Sequence, residues 1–254
     1  RGMDTEAAAG VTREICVNLR AALDRRATAG QPVQPIVVSR SDSTLRGHYP
    51  VETDVIASEL GPFDAHFLVP AFFEGGRITR DGVHYLTVDG QPVPVSETEF
   101  ARDSVFGYRH AFLPDYVEEK TGRRIRAGEV ERFGLTDVRG DIGPRLAGLA
   151  GNVCGVVDAE RQADLDAFAR QVLMAAGEGK RFLFRSAASL LTAFAALPSQ
   201  PVPAGAMSAY VRDGRPGVVL VGSHVAKSSR QLETLIEQTA VVPMEIDLDM
   251  LVQD

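Results

Sequence analysis

The chain contains 254 residues, of which 44% are hydrophobic and 24% charged, and its formal net charge is -7. These values are typical of a globular protein with one large domain, or with one domain and part of a second. The sequence has no long basic run, so it lacks the charge pattern of a nucleic-acid-binding protein. No apolar stretch reaches the roughly 20 residues that a membrane span needs. We therefore expect neither a nucleic-acid nor a membrane partner.

The two cysteines, Cys16 and Cys154, are far apart in the sequence. One lies in a predicted helix and the other in a predicted strand, which indicates neither a disulfide framework nor a zinc site, and we predict both thiols to be buried. The N-terminal residues lack the hydrophobic core of a signal peptide. The expected location is therefore the cytoplasm.

The first 70 residues alternate between helical and extended patterns. Segment 4–26 is predicted as an amphipathic helix, capped by Asp4 or the residue after it, because apolar residues recur in it every four positions. These apolar residues are Ala7, Val11, Ile15, Leu19 and Leu23. Segments 34–39 and 64–70 are runs typical of buried strands, and segment 50–60 between them is predicted as a helix.

The middle of the chain is less regular. Segment 72–82 is predicted as a long loop, and segment 84–95 as a β-hairpin whose turn is Asp89-Gly90. Two shorter elements follow, a helix at 113–120 and a weaker strand at 131–135.

The alternation then resumes, with helices predicted at 141–149, 163–176 and 186–196 and strands at 152–157 and 181–184. Segment 198–216 contains four prolines and little periodicity, which indicates a linker. Beyond it, strands are predicted at 217–223 and 241–246 and a helix at 228–239. Repeated alternation of strands and helices indicates a parallel sheet covered by helices. We predict a three-layer α/β/α domain over residues 1–205 and the beginning of a second α/β domain over residues 206–254.

Ligands of open parallel sheets bind beyond the carboxyl ends of the strands, at helix N-termini. The segment after the first predicted strand is the richest in polar groups. It contains Arg40, Asp42, Ser43, Thr44, Arg46 and Gly47. Guanidinium groups and hydroxyls can donate to carboxylate or phosphate oxygens, and Asp42 could contact or deprotonate a substrate hydroxyl. The alternative is an ordinary turn in which the short polar side chains cap the next helix.

Other predicted strand ends carry fewer polar groups. The loop at 75–77 could place Arg77 on a ligand, although its glycines could serve only the turn and its arginine only the solvent. Asp158 is a candidate ligand contact or the N-cap of the next helix. His48 and His84 lie in candidate loops, while the five histidines together show no metal-ligand spacing. Neither a Walker A motif nor a GxSxG or GxGxxG motif is present.

Several short motifs resemble those of the four-carbon acid sugar kinase family. Residues 40–47, R-S-D-S-T-L-R-G, resemble the family signature K-x-D-S-T-L-R-G. Further matches follow in the family's order: P-A-F at 70–72, G-R and G-V-H-Y within 76–85, E-T-E-F-A-R-D at 97–103, V-D-A at 157–159, and G-S at 222–223. Because they are ordered and cover nearly the whole chain, these matches are more specific than any one of them alone.

The resemblance implies two α/β domains, with a sugar acid held by the N-terminal one and ATP with Mg²⁺ by the C-terminal one. It implies phosphoryl transfer to a hydroxyl of a four-carbon acid of the threonate, erythronate or oxo-tetronate type. Asp42 would be the catalytic residue. The implied substrate contacts are Arg40, Ser43, Thr44, Arg46, Gly47, Arg77, His84 and Asp158, and the implied nucleotide contacts are Gly222 and Ser223.

The sequence also departs from the family pattern. Arg40 replaces the usual lysine, Arg185 stands where many members have the first glycine of G-S-A-G, and Val225 stands where many have a second serine. The family's D-D-L-T-G-A motif and most of its ATP domain are expected outside the sequence. A second hypothesis is therefore a binding or regulatory module that holds a sugar acid without turnover. A host-directed effector is a third hypothesis, with no targeting signal in its favour, and a homodimer is a candidate assembly.

Overall fold

A computed structural model of the chain describes residues 2–198, 203, 205–207, 215–223, 225–238 and 240–247. The chain divides into two compact units, Arg1–Pro198 and Ser199–Asp254. Much of the predicted linker at 198–216 lies outside the described residues. The assignment of a sugar-acid domain to residues 1–205 and of a nucleotide domain to residues 206–254 stays a prediction.

Eight strands and eight α-helices occur in the described parts of the chain. The strands β1 to β8 are Val37–Arg40, Ala65–Val69, Arg77–Arg80, Val83–Val88, Gln91–Pro94, Glu131–Phe133, Val153–Val157 and Phe182–Ser186. The helices α1 to α8 are Thr5–Thr28, Val51–Leu60, Leu113–Lys120, Leu135–Arg139, Gly143–Gly148, Gln162–Gly177, Ala188–Phe194 and Ala226–Ile236. Among these helices, none combines the length and the apolar composition that a bilayer crossing demands.

Five of the strands form one parallel sheet in the order β1-β8-β2-β7-β6. All of them run in the same direction, so their carboxyl ends lie along one edge. The predicted parallel α/β architecture of the first unit is thereby confirmed. The last strand of the unit, β8, lies between β1 and β2, and this places the polar ends of three strands side by side.

The sheet is covered on both faces, because successive strand residues point to opposite sides. On one face, Phe67 of β2 packs against the aromatic rings of its neighbours Phe133, Phe168, Phe182 and Phe184, and helices α4 to α7 bury this cluster. On the other face, Leu183 packs with α1 and α2, and Leu68 packs near α3 and the hairpin. The result is the predicted three-layer arrangement.

Helix α1 begins where predicted, since the Asp4 carboxylate accepts a hydrogen bond from the amide of Ala7 at 2.8 Å. Its buried face agrees with the predicted one only in part, at the partly buried Leu19 and Leu23. The helix buries the small side chains of Ala8 and Cys16, while Val11 and Ile15 stay 41% and 61% exposed. Apolar residues at every fourth position indicate an apolar stripe, but they do not show which element packs against it. The small side chains of Ala8 and Cys16 let α1 approach α2 closely.

The middle segment contains more strand than predicted. The hairpin of β4 and β5 and its Asp89-Gly90 turn are confirmed, with both turn residues at positive φ. The predicted loop at 72–82 is wrong over Arg77–Arg80, which forms β3 and pairs with β4. A second Asp-Gly pair, Asp81-Gly82, also has positive φ and makes this turn.

The second unit contains helix α8, Ala226–Ile236, which overlaps most of the helix predicted at 228–239. Residue 239 lies outside the described residues. The strands predicted at 217–223 and 241–246 are wrong, because no strand is assigned to either segment. A strand needs a neighbour to receive its backbone hydrogen bonds. The apolar side chains of these segments are instead largely exposed, Val218 and Met244 the most.

Candidate functional site

The loop between β1 and α2, residues 41–50, holds five of the eleven predicted site residues. At its centre, the Asp42 carboxylate accepts hydrogen bonds from the Thr44 hydroxyl and, at 3.0 Å, from Nε of Arg46. The side chains of Asp42 and Arg46 are 19% and 14% exposed. The loop therefore presents a carboxylate and a guanidinium that are already paired, and both remain within reach of a ligand.

Arg46 is also held from the segment after the hairpin. Its Nη1 lies 3.5 Å from Oδ2 of Asp103, and its guanidinium carbon lies 4.6 Å from the centre of the Phe100 ring. Backbone amides of Phe106 and Val105 donate to the other oxygen of Asp103 and hold the pKa of that carboxyl below its usual value. An anionic Asp103 keeps Arg46 oriented.

A buried arginine, Arg185, lies at the end of β8 beside the loop. Its Nη1 is 2.5 Å from Oε2 of Glu52 and donates to the Ser39 hydroxyl at 2.6 Å. Gly47 passes close to the same guanidinium, since a Cβ at this residue would lie 3.0 Å from Nη2 of Arg185. Its φ of +122° also favours glycine. Gly47 therefore permits a close approach between the loop and Arg185.

Arg77, at the start of β3, lies near the loop without a direct bond to it. Its Nη1 donates to the Gly75 carbonyl oxygen at 2.5 Å, and its buried Nε has no hydrogen-bond partner among the described residues. Burial lowers the pKa of Arg77, and the carboxylate of Asp42 offsets part of this effect. Arg77 thus adds positive charge on the side of Asp42.

His84 lies beneath the loop and is fully buried. Its Nε2 is 2.9 Å from the Ser43 carbonyl oxygen and its Nδ1 is 2.9 Å from the Thr79 hydroxyl. Because a carbonyl can only accept, Nε2 carries the proton and Nδ1 accepts from Thr79. Burial lowers the pKa of His84 to about 4, so the ring is neutral at physiological pH. Both ring nitrogens already have protein partners.

Asp158 lies apart from the loop, at the end of β7. Its Oδ1 accepts from the backbone amide of Gly82 at 2.9 Å, which ties β7 to the β3–β4 turn. Burial raises the pKa of this carboxyl. Arg40, at the end of β1, is exposed, and its guanidinium donates to the carbonyl of Ser41.

Gly222 and Ser223 belong to the second unit and lie in an exposed segment without regular structure. A Cβ at Gly222 would meet no atom within 4 Å, so the space beside this residue is open. The described residues also contain no cluster of three or more His, Cys, Asp or Glu side chains suited to a metal ion. The residues that the structure describes therefore do not by themselves form a Mg²⁺ site.

Two cavities differ in their relation to this loop. A small one of about 20 Å³ lies under it and is lined by Asp42, Arg46, Tyr116 and Arg185 among others. A larger surface groove of about 500 Å³ runs along α3 and includes Glu119 in its lining, but none of the predicted site residues. The groove is open and charged. The polar groups of the β1–α2 loop give more reason to expect a ligand at the loop than in the groove.

Three residues that contact the site are not among the predicted site contacts. Glu52 lies in the first turn of a predicted helix, and Arg185 directly follows a predicted strand and departs from a family motif. Asp103 closes the E-T-E-F-A-R-D motif at 97–103, and its place in an ordered motif was the signal that could have paired it with Arg46.

Comparisons with known proteins identify the family of this chain. A family model described as the sugar-binding N-terminal domain matches residues 1–194. The chain is 28% identical over 226 residues to the D-erythronate kinase of Heliobacterium modesticaldum, covering 85% of this chain and 46% of the relative. It is 33% identical over 230 residues to the D-threonate kinase of Cupriavidus necator, covering 85% and 50%. The chain thus spans about half the length of these curated relatives.

Solved structures give the same answer for the fold. A domain of unknown function (DUF1537) from Bordetella bronchiseptica, with bound citrate and as a domain-swapped dimer, matches with a TM-score of 0.54 at 28% identity, over 76% of this chain and 42% of that one. A Haemophilus influenzae protein of the same family model matches with a TM-score of 0.51 at 20% identity, over 70% and 42%, which bears on the fold alone.

The first unit is thus a three-layer α/β domain with a polar loop at the carboxyl edge of its parallel sheet. The chain belongs to the family of the sugar-binding N-terminal domain, that of the four-carbon acid sugar kinases.

Proposed function

We propose that this chain supplies the acid-binding part of an ATP-dependent kinase of four-carbon sugar acids. The observation that carries the proposal is the loop of Asp42, Thr44 and Arg46 at the carboxyl edge of the sheet, the usual ligand position in this architecture. The printed names of two relatives, a D-erythronate kinase and a D-threonate kinase, support the substrate class.

The sugar acid would meet the loop from its solvent side. The cavity beneath the loop has room for about one water molecule, whereas Asp42 and Ser43 are partly exposed above it. Arg46, with Arg77 nearby, offers positive charge for a carboxylate or for the oxygens of a transferring phosphate. Asp42 would accept the proton of the sugar-acid hydroxyl as the hydroxyl oxygen attacks the phosphorus of the transferred group and the bond from that phosphorus to the ADP leaving group breaks.

Asp158 and His84 have different surroundings from the residues on the loop. Both are buried with protein partners, so we assign His84 to the support of the loop and Asp158 to the β3–β4 turn. ATP with Mg²⁺ would supply the phosphoryl group when bound, and an enzyme that uses it would work in the cytoplasm. No step is assigned here to Gly222 or Ser223.

Turnover and binding measured side by side test this proposal. We expect the kinase that contains this chain together with an ATP-binding part to release ADP from ATP in the presence of D-threonate or D-erythronate. We expect Asp42→Asn to abolish this release while the acid still binds by calorimetry. Asp54→Asn, on the exposed side of α2, is the matched control and should retain turnover. A protein that releases no ADP with any acid in a four-carbon panel contradicts the kinase proposal.

The departures from the family motifs at Arg40 and Arg185 favour a second candidate, a module that binds the acid without turnover. Calorimetric binding of an acid without ADP release would select it. A homodimer is also proposed, because the Bordetella bronchiseptica relative is a domain-swapped dimer. Light scattering on a sizing column would give the mass directly.

A further inference from the structure

Three buried side chains hold the β1–α2 loop from beneath. Each donates a hydrogen bond to one of three successive backbone carbonyl oxygens. The pairs are His84 Nε2 with Ser43 at 2.9 Å, Tyr108 Oη with Thr44 at 2.7 Å, and Tyr116 Oη with Leu45 at 2.8 Å. Because peptide groups are planar, fixing three successive carbonyls fixes three successive peptide planes. The donors come from β4, from α3 and from the segment before α3.

Leu45 has a backbone conformation that needs such support. Its φ is +64°, in the left-handed region that a leucine rarely adopts. The carbonyl of Thr44 belongs to the peptide before Leu45, and the carbonyl of Leu45 belongs to the peptide after it. Tyr108 and Tyr116 therefore hold the two peptide groups whose orientations define φ and ψ of Leu45. Unusual conformations of this kind persist where the surroundings over-determine them.

The donors are themselves well fixed. The rings of Tyr108 and Tyr116 pack edge to face with centres 5.7 Å apart, and Tyr116 stacks on Tyr49 at 5.9 Å. All three tyrosines are buried. The His84 ring is held at its second nitrogen by the hydroxyl of Thr79. None of these rings can turn away from the loop without displacing its neighbours.

We propose that His84, Tyr108 and Tyr116 are positioning residues of the acid site, which hold the loop in the one conformation that presents Asp42 and Arg46 to the ligand. This inference rests on the proposed function and deepens it. The three side chains lie under the loop and touch its backbone, so they act on the ligand through Asp42 and Arg46. Without them the binding-competent conformation becomes a minor state, and the apparent affinity falls by its population.

Removal of single hydroxyl groups tests the proposal. Tyr108→Phe and Tyr116→Phe each delete one donor and keep the ring. Tyr49→Phe is the matched control, because the Tyr49 hydroxyl lies in the same cluster but faces His66 and Cys154, at 3.5 and 3.9 Å, rather than the loop. We would measure calorimetric affinity for D-threonate and D-erythronate, and amide hydrogen exchange of residues 43–47 and of β2, well below the unfolding temperature.

We expect the two loop-facing variants to weaken acid binding about fivefold or more, and the double variant further, with less than about twofold for Tyr49→Phe. Exchange at residues 43–47 should accelerate by about tenfold in the loop-facing variants, while β2 stays protected as in the wild type. His84→Gln, which can still donate to the Ser43 carbonyl, should bind the acid better than His84→Leu.

Wild-type protection of residues 43–47 in Tyr108→Phe and Tyr116→Phe would overturn the proposal. So would an equal effect in Tyr49→Phe, or an unchanged affinity for an acid that the wild type binds. The proposed function fails in a different way, if the wild-type chain binds neither acid. In that event the exchange comparison alone still decides whether the three side chains hold the loop.

Discussion

The Glu52–Arg185 ion pair is more buried than the Asp54–Arg124 ion pair, whose carboxylate lies on the same helix, α2. The Arg185 side chain is 6% exposed and that of Glu52 27%, whereas Asp54 and Arg124 form a pair with about half of each side chain exposed. A buried guanidinium that loses its counter-charge stays desolvated, while an exposed one is hydrated by water. Glu52 and Asp54 therefore contribute unequally to stability.

We expect Glu52→Gln to lower the free energy of unfolding by about 2 kcal/mol, because it leaves the buried Arg185 charge without its carboxylate. Asp54→Asn, two residues along the same helix, should cost less than about 1 kcal/mol. Urea unfolding followed by circular dichroism measures both. Equal losses in the two variants would show that burial does not set the strength of the Glu52–Arg185 pair.

His84 gives the protein a predictable response to acid. Its pKa is lowered from 6.5 to about 4 in the folded state. Between pH 4 and pH 6.5, His84 is therefore mostly protonated in the unfolded chain and mostly neutral in the folded chain. The contribution of neutral, buried His84 to the free energy of unfolding is fully present above pH 6.5 and is lost as the pH falls toward 4. At about 1.4 kcal/mol per pKa unit, the loss is roughly 3 kcal/mol.

We predict that His84→Gln flattens the dependence of unfolding free energy on pH between 4 and 6.5, because the amide can replace the donor without titrating. His66, whose pKa is also lowered by burial, should leave part of the slope in place. His110→Gln is the control, since His110 is 44% exposed. A wild-type slope in His84→Gln would show that His84 is not the buried neutral group responsible.

At the scale of elements, the core of the sheet depends on one glycine in β7. A Cβ at Gly155 would lie 2.6 Å from the Phe67 ring, at the centre of the aromatic cluster. The neighbouring strand can keep its large ring only because this position has no side chain. Gly148, at the end of α5, has open space instead.

We expect Gly155→Ala to destabilise the protein by about 1–3 kcal/mol through overpacking against Phe67. Gly148→Ala should have no cost, or stabilise by up to about 1 kcal/mol, because it restricts the unfolded chain without a clash. Thermal unfolding of both variants tests the pair. A neutral Gly155→Ala would mean that the Phe67 ring can shift without loss.

Sequence patterns predicted the elements that are specified by their own residues. The buried strands β2 and β7, helix α3 and the Asp89-Gly90 turn have apolar runs or turn residues that specify them without help from distant residues. Strand β3, Arg77–Arg80, reads as a polar loop, because its strand character comes from pairing with β4. The buried face of α1 likewise depends on where α2 packs. The spacing of apolar residues in α1 does not give that position.

The candidate site divides in the same way. Residues 40–47 were recognisable from chemistry and from an ordered set of motifs, so their place at a strand end was predictable. The pairing of Arg46 with Asp103 was not, because Asp103 reaches the loop only through the packing of other elements. Arg185 follows a predicted strand, but the position of that strand beside β1 is set by the order of the sheet. Sequence reasoning could name the polar groups of the loop, but not the residues that hold these groups in place.

For the whole molecule, the first unit contains all three buried hydrophobic clusters found among the described residues. We therefore predict that a fragment of residues 1–198 folds by itself, with an unfolding temperature within about 5 °C of that of the whole chain. It should bind D-threonate or D-erythronate as the whole chain does. A fragment without a cooperative transition would show that the second unit is needed for folding.

The place of β8 between β1 and β2 also has a consequence for biosynthesis. The Ser39–Arg185 contact joins residues 146 positions apart, and at about 5–20 residues per second a ribosome needs on the order of 10 s to make the intervening chain. During that time β1 has no sheet neighbour, and pairing over such long separations is slow. We expect the β1–α2 loop to be among the last features of the first unit to form, so that ligand binding by a nascent chain would report that its sheet is complete.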